Sequence, residues 1–192
     1  GESRPLTDID PFLDAKEAYP KWAPNGEWIS YTSLQGGKTS IRAVDLKSGE
    51  ILEVTDRHLG RFFSVVSSWS PDSKKIAVNA EVLNGNQLLI FPIDGDESEL
   101  ILEKNRIAWP AWSPLGDKIL FAGVDHSRGD LWSLDMSTMS LEEVDSNGFG
   151  VSYVSFSSDG KWLAFQSWEP DVGNDSIGIY VMPLSGGSPI AI

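Results

Sequence analysis

Four stretches repeat one pattern along the chain: WAPNGEWISYT from Trp22, WSPDSKKIAVN from Trp69, WSPLGDKILFA from Trp112 and FSSDGKWLAFQ from Phe156. Their leading aromatics stand 47, 43 and 44 residues apart. A unit of that length cannot bury its apolar residues alone, so each copy must stack on its neighbours. The register continues downstream in the runs 41–46 (IRAVDL), 88–93 (LLIFPI), 131–136 (LWSLDM) and 179–184 (IYVMPL). A fourth short run closes each copy, at Ile51, Leu100, Leu141 and Pro189. Four short strand signals per copy, with no convincing helix, predict an all-β chain of four four-stranded propeller blades at about 19–56, 65–104, 108–145 and 151–192.

Within a copy the strands are named a to d. Pro24, Asn25 and Gly26 predict a tight a-to-b turn, because proline presets φ, asparagine bonds its own backbone and glycine accepts φ > 0. Ser73 stands where Gly26 stands, Leu115 replaces the Asn or Asp, and Ser158 replaces the proline. A strained turn is therefore expected at Ser73. Strand b has two unlike faces: Ile29, Ile76, Ile119 and Leu163 lie with Tyr31, Val78, Phe121 and Phe165, and Ser30, Ala77, Leu120 and Ala164 lie opposite. Large against small is what stacked sheets need to reach native density. The aromatics that end strand a are expected to be wedges between blades rather than ligand-stacking rings.

These copies resemble the W-S-P-D-G-K-x-I-A-F unit of the PD40, or TolB-like, β-propeller family, from Tyr19 to the end of the chain. The resemblance implies a periplasmic or other extracytoplasmic location. It also implies one of three roles: a protein-binding scaffold of the TolB kind, an accessory propeller of a prolyl-oligopeptidase-like serine peptidase or amidohydrolase, or the sensory domain of a membrane regulator. TolB-like propellers have six or more blades, so four copies are expected to form an incomplete arc. The run SRPLTD, residues 3–8, resembles a strand d with no a, b or c before it, making residues 1–18 the outer strand of a preceding blade plus a connection. Self-association, or completion of the ring by another chain, is expected to cover the open blade faces.

Composition excludes other classes. No apolar run approaches the roughly 20 residues that span a bilayer, and the N-terminus lacks signal-peptide character. A net charge of -13 argues against nucleic acid, which is held by clustered Lys and Arg. There is no cysteine for a disulfide, a thiolate metal site or a nucleophile. G-x-S-x-G and H-E-x-x-H are both absent. The segment 94–99 (DGDESE) starts like a calcium loop but lacks its glycine and its closing glutamate. DIDPFLD, residues 8–14, is at most a weak cation site, and the acceptor pattern at Asn174 is read as chance. No catalytic residue, metal or cofactor is expected.

Strands in a blade alternate in direction, so the short a-to-b and c-to-d turns share one rim, while the variable b-to-c and d-to-a connections share the other. Variable loops on a stiff scaffold are where recognition usually sits. That rim carries Arg57, His58, Arg61, Arg106, His126 and Arg128, with Trp168 in a b-to-c loop and Trp109 just after a d-to-a connection. Cations clustered in an acidic protein suit a carboxylate-bearing protein or peptide partner. Alternatively, the arginines pair with rim acids such as Asp56, Asp125 and Asp130 and only hold the loops.

Overall fold

The computed structural model describes residue 7 and residues 16–55, 57–61, 64–94, 98–104, 106–123, 129–168 and 177–192. Among the described residues sixteen strands form four antiparallel sheets, each in simple sequential order. The first holds β1 (Lys16–Trp22), β2 (Trp28–Gln35), β3 (Lys38–Asp45) and β4 (Ile51–Glu53). The second holds β5 (Ser67–Trp69), β6 (Lys75–Val82), β7 (Gly85–Pro92) and β8 (Glu99–Lys104). The third holds β9 (Ala108–Trp112), β10 (Lys118–Gly123), β11 (Asp130–Asp135) and β12 (Leu141–Val144). The fourth holds β13 (Gly150–Phe156), β14 (Trp162–Trp168), β15 (Ile177–Pro183) and β16 (Ile190–Ala191). The strand-like run 3–8 and the acidic run 8–14 lie outside the described residues apart from Thr7, whose Oγ1 donates to Glu17 Oε2.

Three apolar clusters join the blades in sequence. Between the first and second, Ile41 and Ala43 meet Ile76, Val78 and Trp69. Between the second and third, Ala77, Leu88 and Ile90 meet Ile119 and Phe121. Between the third and fourth, Leu120 and Leu131 meet Leu163, Phe165 and Tyr180. The small face of each blade thus receives the large face of the next, as the alternation in strand b requires.

Among the described residues no apolar cluster joins the fourth blade to the first. Ile41, Leu88 and Leu131 occupy one register position and are 0–1% exposed; their counterpart Ile179 is 47% exposed. The wedge aromatics behave in the same way at the other end. Trp69 is 6% exposed and its Nε1 donates to the Lys21 carbonyl of the preceding blade at 3.2 Å. Trp22 is 65% exposed, a departure from its expected role as a core wedge. Among the described residues no blade packs on Trp22 or on Ile179.

The a-to-b turns are equivalent. Gly26, Ser73, Gly116 and Gly160 all have positive φ, at 74°, 60°, 78° and 70°. Each donates its backbone N–H to the carbonyl three residues earlier at 2.9 Å. Ser73 is in the left-handed region, as expected from its alignment with Gly26, and its Oγ accepts a hydrogen bond from the Asn25 N–H of the neighbouring blade at 3.0 Å. That bond offsets part of the cost of a Cβ at this φ.

Aspartates cap the turns on this rim. Ser70 and Ser157 donate to Asp72 and Asp159, each at 2.6 Å, and the N–H groups of Lys74 and Lys161 donate to the same carboxylates. Asp135 accepts from the hydroxyls and N–H groups of Ser137 and Thr138. These bonds, the Ser137 hydroxyl foremost for Asp135, hold all three carboxyls below the ordinary aspartate value of 3.8. A carboxyl depressed in the folded state contributes stability that is present above its unfolded value and lost as pH falls. The urea midpoint is therefore expected to decline below about pH 4. Asp135→Asn should flatten part of that decline, and an unchanged slope in the variant would show that this turn does not couple to acid.

Candidate functional site

The loop after β4 straps the first blade to the second. Leu59 is fully buried; its N–H donates to the Thr39 carbonyl at 3.0 Å, and its carbonyl accepts from the Glu81 N–H at 2.7 Å. His58 Nδ1 accepts from the Thr39 N–H at 3.0 Å, which places the imidazole proton of its neutral form on Nε2. Gly60, at φ 113°, passes so close to β6 that a Cβ there would stand 2.4 Å from Glu81 Cβ. Only glycine allows that approach.

The next residue uses it. Arg61 grips Glu81 through Nε, at 3.2 and 3.1 Å from the two carboxylate oxygens, and through Nη2 at 2.9 Å. Its backbone N–H adds a bond to Oε2 at 3.2 Å. The side-chain bonds from Arg61 lead in lowering the carboxyl of Glu81. Asn79, buried in β6, donates to the Ser64 carbonyl at 2.7 Å and accepts from the Val66 N–H at 3.1 Å, which fixes the return of the loop into β5.

Two openings flank this clamp. An open groove of about 1040 Å³ brings His58 and Arg61 together with Glu81 and Glu103. A second pocket of about 550 Å³, between the second and third blades, collects Arg61, Asn79, Glu81, Arg106 and Trp109. Arg106 is exposed and forms no ion pair among the described residues. Arg57 Nη2 donates to Ser98 Oγ at 3.0 Å, out toward β8.

Of the rim residues singled out by sequence, His58, Arg61, Arg106 and Trp109 line these two openings. Trp168 ends β14 in the backbone pairing, opposite Ile177. His126 and Arg128 lie outside the described residues, as do Asp56 and Asp125. Glu81, Asn79 and Gly60 escaped the sequence reading. Asn79 did leave a signal, being the one polar residue in the buried run 76–80 (IAVNA) of β6. No group of three or more metal-ligating side chains occurs among the described residues.

The axis of the molecule holds a third cavity, of about 460 Å³, lined by the inner strands β1, β5, β9 and β13 and reaching the a-to-b turns. Sequence reasoning passed over this half of the channel because its loops are short and regular. Tyr19, Trp109 and Tyr153 line it at equivalent positions, each at a register shift in its strand pairing, with φ of 56°, 51° and 52°. For bulky residues these values are outliers that cost about 1–3 kcal/mol each. The Trp109 and Tyr153 rings lie 4.7 Å apart, and Tyr153 is 48% exposed.

The fold is that of a β-propeller, similar to those of solved TolB structures. The TolB structure from Acinetobacter baumannii superposes with a TM-score of 0.79 at 18% identity, over 92% of this chain and 43% of that one. A structure from a study of two prolyl endopeptidases matches with a TM-score of 0.64 at 12% identity, over 88% of this chain and 27% of that one. Among curated sequences, an uncharacterized protein of Agrobacterium fabrum is 23% identical over 150 residues, 77% of this chain. The chain spans about half the length of that relative. No family model matches.

Proposed function

We propose that this chain is a non-catalytic binding scaffold, of the kind TolB represents, that holds a carboxylate-bearing protein or peptide segment on the rim between its second and third blades in an extracytoplasmic compartment. Arg106 carries the reading. It is an exposed guanidinium with no acid paired to it among the described residues, in a pocket that Trp109 also lines, in a chain of net charge -13. Arg61 and Glu81 supply a rigid wall, so little entropy is lost on docking. Cations so placed favour carboxylates, and an exposed pair of this kind weakens with salt. Arg57, His58, His126, Arg128 and Trp168 extend the same rim in sequence.

A fluorescein-labelled peptide of alternating leucine and glutamate is the direct probe, followed by anisotropy. Binding is expected at low salt, tighter than to a leucine–lysine control. Arg106→Glu should weaken it at least tenfold, an effect of about 1.4 kcal/mol or more. Equal binding of the two peptides would end this reading.

The likeness to a prolyl endopeptidase chain favours a second role, an accessory propeller beside a catalytic domain. Peptidase activity in a longer polypeptide containing these blades, absent from the blades alone, would select it. The exposed faces at Trp22 and Ile179 suit further blades, whether from a longer chain, another chain or self-association.

A further inference from the structure

The tip of the β6–β7 hairpin stands between the two rim openings: Asn84 lines the groove that holds His58 and Glu103, and its neighbours Leu83 and Gly85 line the pocket that holds Arg106. Leu83 is fully exposed, and Asn84 is exposed beside it. An asparagine followed by glycine carries chemistry of its own, because the glycine nitrogen, with no Cβ to shield it, can approach and attack the side-chain amide carbon before it. The chain contains three such pairs, at Asn25–Gly26, Asn84–Gly85 and Asn147–Gly148.

Hydrogen bonds hold two of the three. Asn25 is fixed at both ends of its side-chain amide: Nδ2 donates to Glu27 Oε2 at 2.9 Å, and Oδ1 accepts from the Glu27 N–H at 3.0 Å. The Gly26 nitrogen that would have to attack donates to the Ala23 carbonyl at 2.9 Å. Asn147 donates through Nδ2 to the Gly187 carbonyl of the fourth blade at 3.0 Å, and its own N–H is tied to Asp145 at 2.8 Å. Asn84 makes no side-chain hydrogen bond among the described residues, so its amide turns freely. Gly85 pairs with Val82 in the last rung of the ladder, the one that opens first when a hairpin frays.

We propose that Asn84 is a self-modification site that changes the charge of the rim. Gly85 gives up its N–H proton to solvent, its nitrogen bonds to the Asn84 side-chain carbon, and the side-chain nitrogen leaves as ammonia, which closes a cyclic imide. Water then cleaves one of the ring's two acyl carbon–nitrogen bonds, leaving aspartate when the side-chain bond opens and isoaspartate when the main-chain bond opens. Water is the only other reactant. Either product sets a new carboxylate between the groove and the Arg106 pocket, and isoaspartate also adds a carbon to the backbone of a tight turn. On the reading that the rim holds a carboxylate-bearing segment, on which this consequence rests, the new charge repels that segment and competes for the Arg106 guanidinium.

The test ages the full chain in mildly alkaline buffer and follows the three pairs by peptide-resolved mass spectrometry, which reads the gain in mass when an amide becomes a carboxyl. Asn84 is expected to convert at least tenfold faster than Asn25 or Asn147 in the folded chain, whereas in urea all three should convert at similar rates, because the fold alone separates them. Asn84→Gln should keep the parent's Tm and stay unconverted, since glutamine would have to close a larger and slower ring. The aged chain and Asn84→Asp should each bind the leucine–glutamate peptide at least threefold more weakly than fresh protein, and aged Asn84→Gln should keep the fresh affinity. Equal rates at the three sites in the folded chain, or faster conversion at Asn25 or Asn147, would overturn the modification site. Full affinity in Asn84→Asp would overturn its effect on the rim. The mass readout needs no partner, so failure of the rim reading, seen as equal binding of the acidic and basic peptides by fresh protein, is distinguishable from failure of this one.

Discussion

Phe121→Ala is expected to lower the free energy of unfolding by about 3–5 kcal/mol. Phe121 is fully buried in β10, in the cluster that joins the second blade to the third. It shares that cluster with Ala77, so its ring fills the space the alanine leaves. Truncation removes the ring's transfer free energy and leaves a cavity that two stiff sheets cannot close. A total stability of about 5–15 kcal/mol would lose about a fifth or more. Urea unfolding followed by tryptophan fluorescence measures this. A loss under about 1 kcal/mol would mean that the blades slide together to close the gap, contrary to interdigitated packing.

That junction was legible in the sequence because a two-residue period and a fixed spacing were enough to pair large positions with small ones. Ile119 and Phe121 against Ala77 follow from counting along strand b, whereas Leu163 and Phe165 meet Leu120, where the partner is not small. The turns were legible for a related reason: Gly26, Gly116 and Gly160 mark where φ must be positive, and their alignment assigned the same conformation to Ser73.

The bulges at Tyr19, Trp109 and Tyr153 had no such marker. A glycine would have announced them, and aromatic residues in a strand look ordinary. The positive φ accompanies a register shift in the pairing of strands a and b, which depends on both strands rather than on any local stretch. The Arg61–Glu81 clamp was hidden for a similar reason. Its partners are 20 residues apart and meet only because the loop carrying Gly60 folds back onto β6. On the rim the sequence could not distinguish Arg61, clamped by Glu81, from Arg106, which pairs with no acid among the described residues.

Two tryptophans in the same register position should respond very unequally to the same substitution. Trp69→Ala should cost about 3–5 kcal/mol, because its ring is 6% exposed between two blades and its Nε1 bonds to the Lys21 carbonyl. Trp22→Ala should cost no more than about 0.5 kcal/mol, as substitutions at exposed sites do. The two stand at the same place in aligned copies, so the contrast isolates the neighbour: Trp69 packs against the preceding blade and Trp22 is exposed. Parallel urea titrations of the two variants measure the difference. Equal losses would show that a blade or another copy covers Trp22 in solution, and dilution would then separate the cases, since only a second copy leaves as concentration falls. In a longer polypeptide carrying further blades, Trp22→Ala should instead approach the cost of Trp69→Ala, because the same ring would then have a carbonyl to bond and an apolar face to fill.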